Sequence, residues 1–276
     1  VNNESALGLD AENALGLLAT FIRDELHKAG LERLIIGLSG GLDSATVAYL
    51  AVRFIGKDNV IAALLPYESS NPDNVKDAHE IIAALKVKDY VIDITPQVDS
   101  YFHHFPDADR VRRGNKMARE RMSILYDLSA LEGALVVGTS NKTEILLGYG
   151  TIFGDLACAM NPLGDLYKTQ IRLLARYIGV PEKIIAKAPS ADLYAGQSDE
   201  GDFGFTYDVV DRLLYLLVDE RYTPAQCERA GFNKRLIDQV TGMIIKNQFK
   251  RSTPIIAKLS NRTVGIDFRY PRDWGK

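Results

Sequence analysis

Four short apolar runs divide the first half of the chain, and amphipathic stretches lie between them. The run at 34–38, within RLIIGL, predicts a strand, and SATVAYLAVRFIG predicts a helix directly after it. NVIAALLPY predicts a second strand. NVKDAHEIIAALKV predicts a helix with Ala78, Ile81, Ile82 and Leu85 on one side. DYVIDI and ALVVGTS predict a third and a fourth strand, separated by a long polar helix within PDADRVRRGNKMARERMSILYDLSALEG. KTQIRLLARYIGV sets Ile171, Leu174, Ala175 and Ile178 on one helical stripe. Ahead of the first strand, Leu15, Leu18, Ala19, Ile22 and Leu26 also fall at helical spacing, as in a surface helix packed on a core. Strands that are apolar throughout, alternating with amphipathic helices, predict an α/β fold: a doubly wound parallel sheet with helices on both faces.

Two stretches break this rhythm. SADLYAGQSDEGDFGFT (190–206) is rich in Gly, Asp and Ser with little periodicity, which marks it as functional or disordered. The C-terminal KNQFKRSTPIIAKLSNRTVGIDFRYPRDWGK is basic and aromatic and reads as a packed tail. No composition shift divides the chain, so a single domain over 1–276 is expected. With 46% hydrophobic and 25% charged residues, the chain can bury a sizeable core.

A net charge of −3 lacks the basic footprint of a general nucleic-acid binder, so any anionic ligand must be held by a local arrangement. The two cysteines, Cys158 and Cys227, form no CxxC pair or metal-ligand cluster and read as reduced thiols, which fits a reducing cytosol. The first 30 residues lack the charged start and apolar block of a signal peptide, and no segment reaches membrane-spanning length. A soluble, cytoplasmic protein is expected.

The chemistry begins where the first strand ends, in SGGLDS. Ligands of open parallel sheets sit beyond the carboxyl ends of the strands. Gly40 and Gly41 permit backbone angles closed to other residues and let the main chain approach a ligand. Successive amides then point into one concavity, and the following helix N-terminus adds partial positive charge. Ser39 and Ser44 can offer hydroxyls to the same place. The P-loop pattern wants a lysine where Leu42 and Asp43 follow, and Gly37, Gly40 and Gly41 fail the spacing of the dinucleotide fingerprint. A plain strand-to-helix turn capped by the second serine is the simpler alternative. The aspartate decides for a phosphate cradle with a cation. A carboxylate inside an anion site repels phosphates unless a cation intervenes, and Mg2+ commonly joins one or two carboxylates to substrate phosphates. Asp43 is therefore read as a metal ligand.

SGGLDS resembles the pyrophosphate-loop signature of the adenine-nucleotide alpha-hydrolase-like ATP pyrophosphatases, which split ATP between its alpha and beta phosphates. Within that group, residues 138–193, from GTSNKTEILLGYG to KAPSADL, are similar to the NAD synthetases. The likeness covers most of the chain and includes several separate motifs. It implies a Rossmann-like fold and conversion of deamido-NAD to NAD with ATP, Mg2+ and ammonia. It also implies a homodimer with the dinucleotide close to the subunit boundary. SGGLDS begins so near the start that the resemblance points to the ammonia-dependent form, without an N-terminal glutaminase domain.

Residue by residue, the resemblance assigns Gly37, Leu38, Ser39, Gly40, Gly41, Leu42, Asp43 and Ser44 to the ATP site, with Asp43 on magnesium. Thr139 matches an ATP contact and Glu144 a second metal carboxylate. Taken alone, these two serve equally well as a helix cap and an ordinary helix residue. Lys168 matches a lysine on the ATP phosphates and Ser190 an ATP contact. Arg119 matches an arginine on deamido-NAD, although the Arg-rich helix reads equally as solvated or dimer-facing surface. Asp155 corresponds to an aspartate near the ammonia entrance, where a carboxylate can hold ammonium or accept its proton. The 190–206 segment matches a lid that excludes water from a hydrolysable adenylate. Ile152, Ala159 and Phe249 depart from the polar residues that many family members carry there, which leaves the nicotinate side of the pocket undefined. Other ATP pyrophosphatases, such as thiolases, generally need catalytic or cluster-binding cysteines, and Cys158 and Cys227 are poorly placed for that.

Overall fold

All four strands expected from the apolar runs form, and they run parallel. In the computed structural model, which describes residues 7–190, 192, 199–252 and 254–273, β1 (Arg33–Gly37), β2 (Val60–Leu64), β3 (Lys88–Val91) and β4 (Ala134–Val137) pair in the order β3-β2-β1-β4. Side chains alternate across the pleat and so feed two cores. Leu34, Ile36, Val60, Ala62 and Leu64 enter one, whereas Ile35, Ile61, Ala63 and Val136 enter the other. The first core is covered by α1 (Ala11–Ala29), α2 (Leu42–Ile55) and α3 (Pro72–Leu85). The second is covered by α4 (Thr95–Phe102) and α5 (Arg110–Glu132). After β4 come α6 (Lys142–Leu147), then α7 (Lys168–Ile178) and α8 (Glu182–Ile185), the last two returning to the first face. This is the doubly wound arrangement expected from the sequence.

Local chemistry sets the helix ends. Asp10 accepts the amide of Asn13 at the start of α1, and Gly30 ends that helix at φ 70°. Asn71 caps α3 with Pro72 following, and Asp109 and Gly133 bracket α5. Leu34, Ile35 and Ile36 are each at most 1% exposed. At roughly 1.5–3 kcal/mol per buried aliphatic side chain, they anchor the strand whose end carries SGGLDS.

A third cluster, centred on Leu147, Tyr167, Tyr207 and Leu213, lies beside the sheet. It is built from α9 (Asp199–Phe203), α10 (Tyr207–Leu214), a π-helical turn at Tyr215–Asp219, α11 (Pro224–Arg229) and α12 (Lys234–Lys246). A 3-10 turn at Gln248–Arg251 follows and straps α6: Arg251 donates to the carbonyls of Ile145 and Leu146, and Asn247 to that of Leu147.

Three expectations need correction. The third strand stops at Val91, because β3 is an edge strand with little buried surface and the chain turns into α4. Part of the irregular 190–206 segment is helical: Asp199 donates its amide to Pro189, and Phe203 packs on Tyr149 and Phe205. Of the lid expected there, residues 191 and 193–198 lie outside the described residues. The C-terminal tail is packed only in part: residues 247–251 hold α6 and Arg272 reaches Ala159 and Glu25, but the stretch between them stands out. Ile255 is 99% and Leu259 93% exposed, since no core face of this chain lies beneath them.

Candidate active site

The strand order reverses between β1 and β4, and a cleft of about 670 Å³ opens beyond their carboxyl ends. Such a switch point is where open α/β sheets bind ligands. SGGLDS forms one wall. The amide of Leu38 bonds to the Ala63 carbonyl, extending the sheet by one residue before the chain turns. Gly40 makes the turn at φ 77°, so close to α3 that a Cβ would lie 2.1 Å from the Asn74 carbonyl oxygen. Gly41 is the N-cap of α2, and no side chain caps that helix. Ser44 therefore does not cap α2, and the first-turn amides are open to a ligand. The serines tie the loop to itself. The Ser44 hydroxyl donates to the Gly41 carbonyl at 3.1 Å and lies 3.1 Å from Ser39 Oγ.

Three helix N-termini bring charge to one point. Asp43 lies in the first turn of α2, Glu144 in that of α6, and Lys168 opens α7. Lys168 Nζ is 2.7 Å from Asp43 Oδ2 and 3.7 Å from Glu144 Oε1, over the Tyr207 ring at 5.3 Å. Asn141 Nδ2 donates to Asp43 Oδ2 at 3.1 Å. Asn141, not Thr139, caps α6, in a reciprocal box with Glu144. Thr139 lines the cleft instead.

Burial raises the pKa of Glu144 well above the usual carboxylate range, and the neighbouring Asp43 adds to this against Lys168. Burial opposes the charge of Lys168, yet Asp43 and Glu144 hold its pKa above the ordinary lysine value. Two unit charges about 4 Å apart interact by roughly 4 kcal/mol at an effective dielectric of about 20. That is comparable with the whole net stability of many domains. Neighbouring carboxylates therefore need a cation, and Lys168 supplies one.

Asp43 Oδ1 is buried without a partner. An orphaned carboxylate oxygen beside a second carboxylate suits a hard divalent cation, and Asp43 and Glu144 are the residues that would hold it. No cluster of three or more His, Cys, Asp or Glu of metal-binding arrangement exists among the described residues. The remaining ligands of an octahedral ion would then come from phosphate and water.

Asp155 also lines the cleft, exposed to it, and accepts the Thr151 amide at 2.8 Å. Its protein surroundings push its pKa upward, while the Thr151 amide and Lys250 work against this. Lys250 lines the cleft and donates to the carbonyls of Gly148 and Gly150. Ser190 also lines it, exposed.

Arg119 is not brought to this point. It is exposed, with Nε 3.3 Å from the Ile152 carbonyl. Two residues on a helix are about 200° apart at 3.6 residues per turn, so Arg121 faces the cleft instead, bonded to the Leu65 carbonyl. The Ala159 carbonyl accepts from Arg272 of the tail, and Phe249 points to solvent at 57% exposure.

Sequence reasoning missed Asn141, although its N-x-x-E spacing to Glu144 is a capping-box signal. It also missed Asp199, which takes hydroxyl bonds from Tyr149 (3.0 Å) and Tyr207 (2.9 Å) in the wall of the cleft.

Comparison with known proteins finds relatives across nearly the whole chain. The NAD synthase family model matches residues 15–254. An NH(3)-dependent NAD(+) synthetase of Trichlorobacter lovleyi is 51% identical over 272 residues, covering 99% of this chain and 100% of the relative. The solved NH3-dependent NAD synthetase of Campylobacter jejuni superposes with a TM-score of 0.78 at 37% identity, over 91% of this chain and 100% of that one. An NMN synthetase of Francisella tularensis superposes with a TM-score of 0.81 at 31% identity, over 91% and 99% of the two chains.

Proposed function

The chain belongs to the NAD synthase family, and from that premise we propose how its cleft performs the family's reaction. The activity is ATP-dependent amidation of deamido-NAD to NAD by ammonia. The observation that carries the site reading is the Asp43–Lys168–Glu144 cluster beside the uncapped start of α2.

A nicotinate carboxylate resists ammonia, because its charge repels nucleophiles and its oxygen is a poor leaving group. In our reading, the carboxylate oxygen attacks the alpha phosphorus of ATP and the bond to pyrophosphate breaks. The acyl adenylate so formed is neutral at the carbonyl and carries AMP as leaving group. Ammonia then adds to the carbonyl carbon, loses a proton, and AMP departs with the oxygen.

The first-turn amides of Leu42 and Asp43 cradle the phosphates. Lys168 draws charge from the departing pyrophosphate, a kind of stabilisation that usually supplies a large share of catalysis. Mg2+, held by Asp43 and Glu144, would offset phosphate charge. Thr139 and Ser190, both in the lining of the cleft, contact the nucleotide. Asp155, with its raised pKa, orients ammonium or takes the proton that ammonia releases. Asp155→Asn keeps an acceptor for the Thr151 amide but loses the charge. We expect it to raise the KM for ammonium about tenfold with the KM for ATP unchanged; an unaltered ammonium KM removes Asp155 from this step.

Arg119 lies outside the cleft, so a dinucleotide that reaches it extends onto the outer face of α5. A second copy of the chain there would complete the substrate site, and the exposed Phe153 gives that region apolar surface. Sedimentation at micromolar concentration tests this homodimer. No helix among the described residues is long and apolar enough to cross a membrane.

Incubation with ATP, Mg2+, ammonium and deamido-NAD tests the function as a whole: NAD, AMP and pyrophosphate should accumulate. ADP and phosphate would sink the adenylation mechanism. Since one solved relative is an NMN synthetase, the mononucleotide acid belongs in the same assay; the higher kcat/KM is expected for the dinucleotide.

A further inference from the structure

Asp211 of α10 is fully buried, yet its carboxylate bonds to two of the three helices that carry the site, α6 and α7. Its Oδ1 accepts the Thr143 hydroxyl at 2.6 Å, and its Oδ2 accepts the Thr169 amide at 2.8 Å. Thr143 Oγ1 in turn accepts the Lys168 amide at 3.2 Å. Thr143 immediately precedes Glu144 in the first turn of α6, and Lys168 and Thr169 open α7. One carboxylate thus ties two helix N-termini, where amide dipoles favour negative charge.

Simple core filling does not account for this residue. Its neighbours on α10, Tyr207, Val210, Leu213 and Leu214, are buried in an apolar cluster. A buried carboxylate carries a desolvation penalty that an apolar side chain of similar volume avoids. Nor does α6 need it as a cap, because Asn141 and Glu144 already close that end. What remains is register between α6 and α7. The path Asp211–Thr143–Lys168 fixes the backbone that bears Lys168 against the backbone that bears Glu144.

We infer that Asp211 and Thr143 are positioning residues that hold the Glu144 carboxylate and the Lys168 ammonium at the spacing needed to engage one polyphosphate chain. The inference rests on the roles given to Glu144 and Lys168 under the proposed function. Burial pushes the Asp211 pKa upward, and the Thr143 hydroxyl and Thr169 amide oppose that shift, as expected of donors arranged around a charge.

Thr143→Val keeps the side-chain shape and deletes the hydroxyl; Thr143→Ser restores it. Calorimetry with a non-hydrolysable Mg·ATP analogue should show Thr143→Val binding about tenfold or more weakly, with kcat/KM for ATP falling alike and the KM for deamido-NAD within about twofold of wild type. Thr143→Ser should recover analogue affinity to within about threefold. Wild-type analogue affinity in Thr143→Val overturns the inference. So does a parallel decline of every kinetic constant and of the melting temperature that Ser does not rescue, since that marks a purely structural role. Glu144→Ala serves as the reference: if it too retains affinity and turnover, the assignment of the site has failed, and not merely its positioning.

Discussion

Alanine at Asp43 is expected to lower kcat by about three orders of magnitude, with the fold intact by circular dichroism. Removing one preorganised electrostatic group commonly costs a factor of about 10²–10³. Asp43 is asked to do more, because it is paired with Lys168 and also carries the one buried carboxylate oxygen of the cluster without a partner. The fold should survive with some loss of stability, because Lys168 keeps Glu144 as a partner. The α2 helix is held by Ala45, Val47, Ala48, Leu50 and Ala51 in the core, and Asp43 contributes nothing to that packing.

Glu144 needs a finer probe. Alanine there also breaks the capping box, which is worth about 1 kcal/mol, so Glu144→Gln is the cleaner variant: it keeps an oxygen for the Asn141 amide and removes the charge. A comparable kcat loss in Glu144→Gln separates the role in chemistry from the role in capping. Full activity in both Asp43→Ala and Glu144→Gln would refute the metal assignment.

Gly40→Ala is expected to damage the protein more broadly. Residue 40 sits at φ 77°, and left-handed backbone costs a side-chain-bearing residue about 1–3 kcal/mol. The added Cβ would also lie 2.1 Å from the Asn74 carbonyl oxygen and 2.9 Å from its carbon, and both are backbone atoms of α3 that cannot swing aside. That helix is pinned by Ala78, Ile81 and Ile82, so the loop must move instead. A fall in melting temperature of several degrees is expected, with Mg·ATP binding lost from calorimetry.

Gly41→Ala provides the contrast. At φ −89° and with only Ser39 Oγ nearby at 3.3 Å, alanine is accommodated once that side chain yields by a few tenths of an ångström. Its melting temperature should match wild type, and any loss of affinity then reports phosphate contact with the main chain. Equal melting temperatures for Gly40→Ala and wild type would mean that the loop does not lean on α3.

The sheet was legible because burial on both faces writes itself as continuous apolar runs, as at Leu34–Ile36 and Val60–Leu64. The helices α10 to α12 were not read, because their apolar residues serve a satellite cluster and leave no strand pattern beside them to set a frame. SGGLDS was legible for a local reason: a strand end, two glycines and a carboxylate are contiguous in the chain. Glu144 and Lys168 have no such signature, and only the family resemblance picked them out. Arg119 and Arg121 are two positions apart on α5, and a helix turns such residues to nearly opposite sides, so only Arg121 lines the cleft. Asp211 and Asp199 were invisible for another reason. Each owes its place to partners far along the chain, Thr143 for the first and Tyr149 for the second.

The cluster at the heart of the cleft joins Asp43 to a lysine 125 positions further on, while the strap at Gln248–Arg251 lies later still. No nascent fragment that ends before α7 can own this site, so nucleotide capture is confined to chains whose topology is finished. Saturating ligand then adds its binding free energy to the complete fold alone, about 2.7 kcal/mol at a hundred times the dissociation constant. Cofactor supply and survival of the polypeptide are thereby linked: a cell rich in ATP also protects the mature form of the protein that spends it.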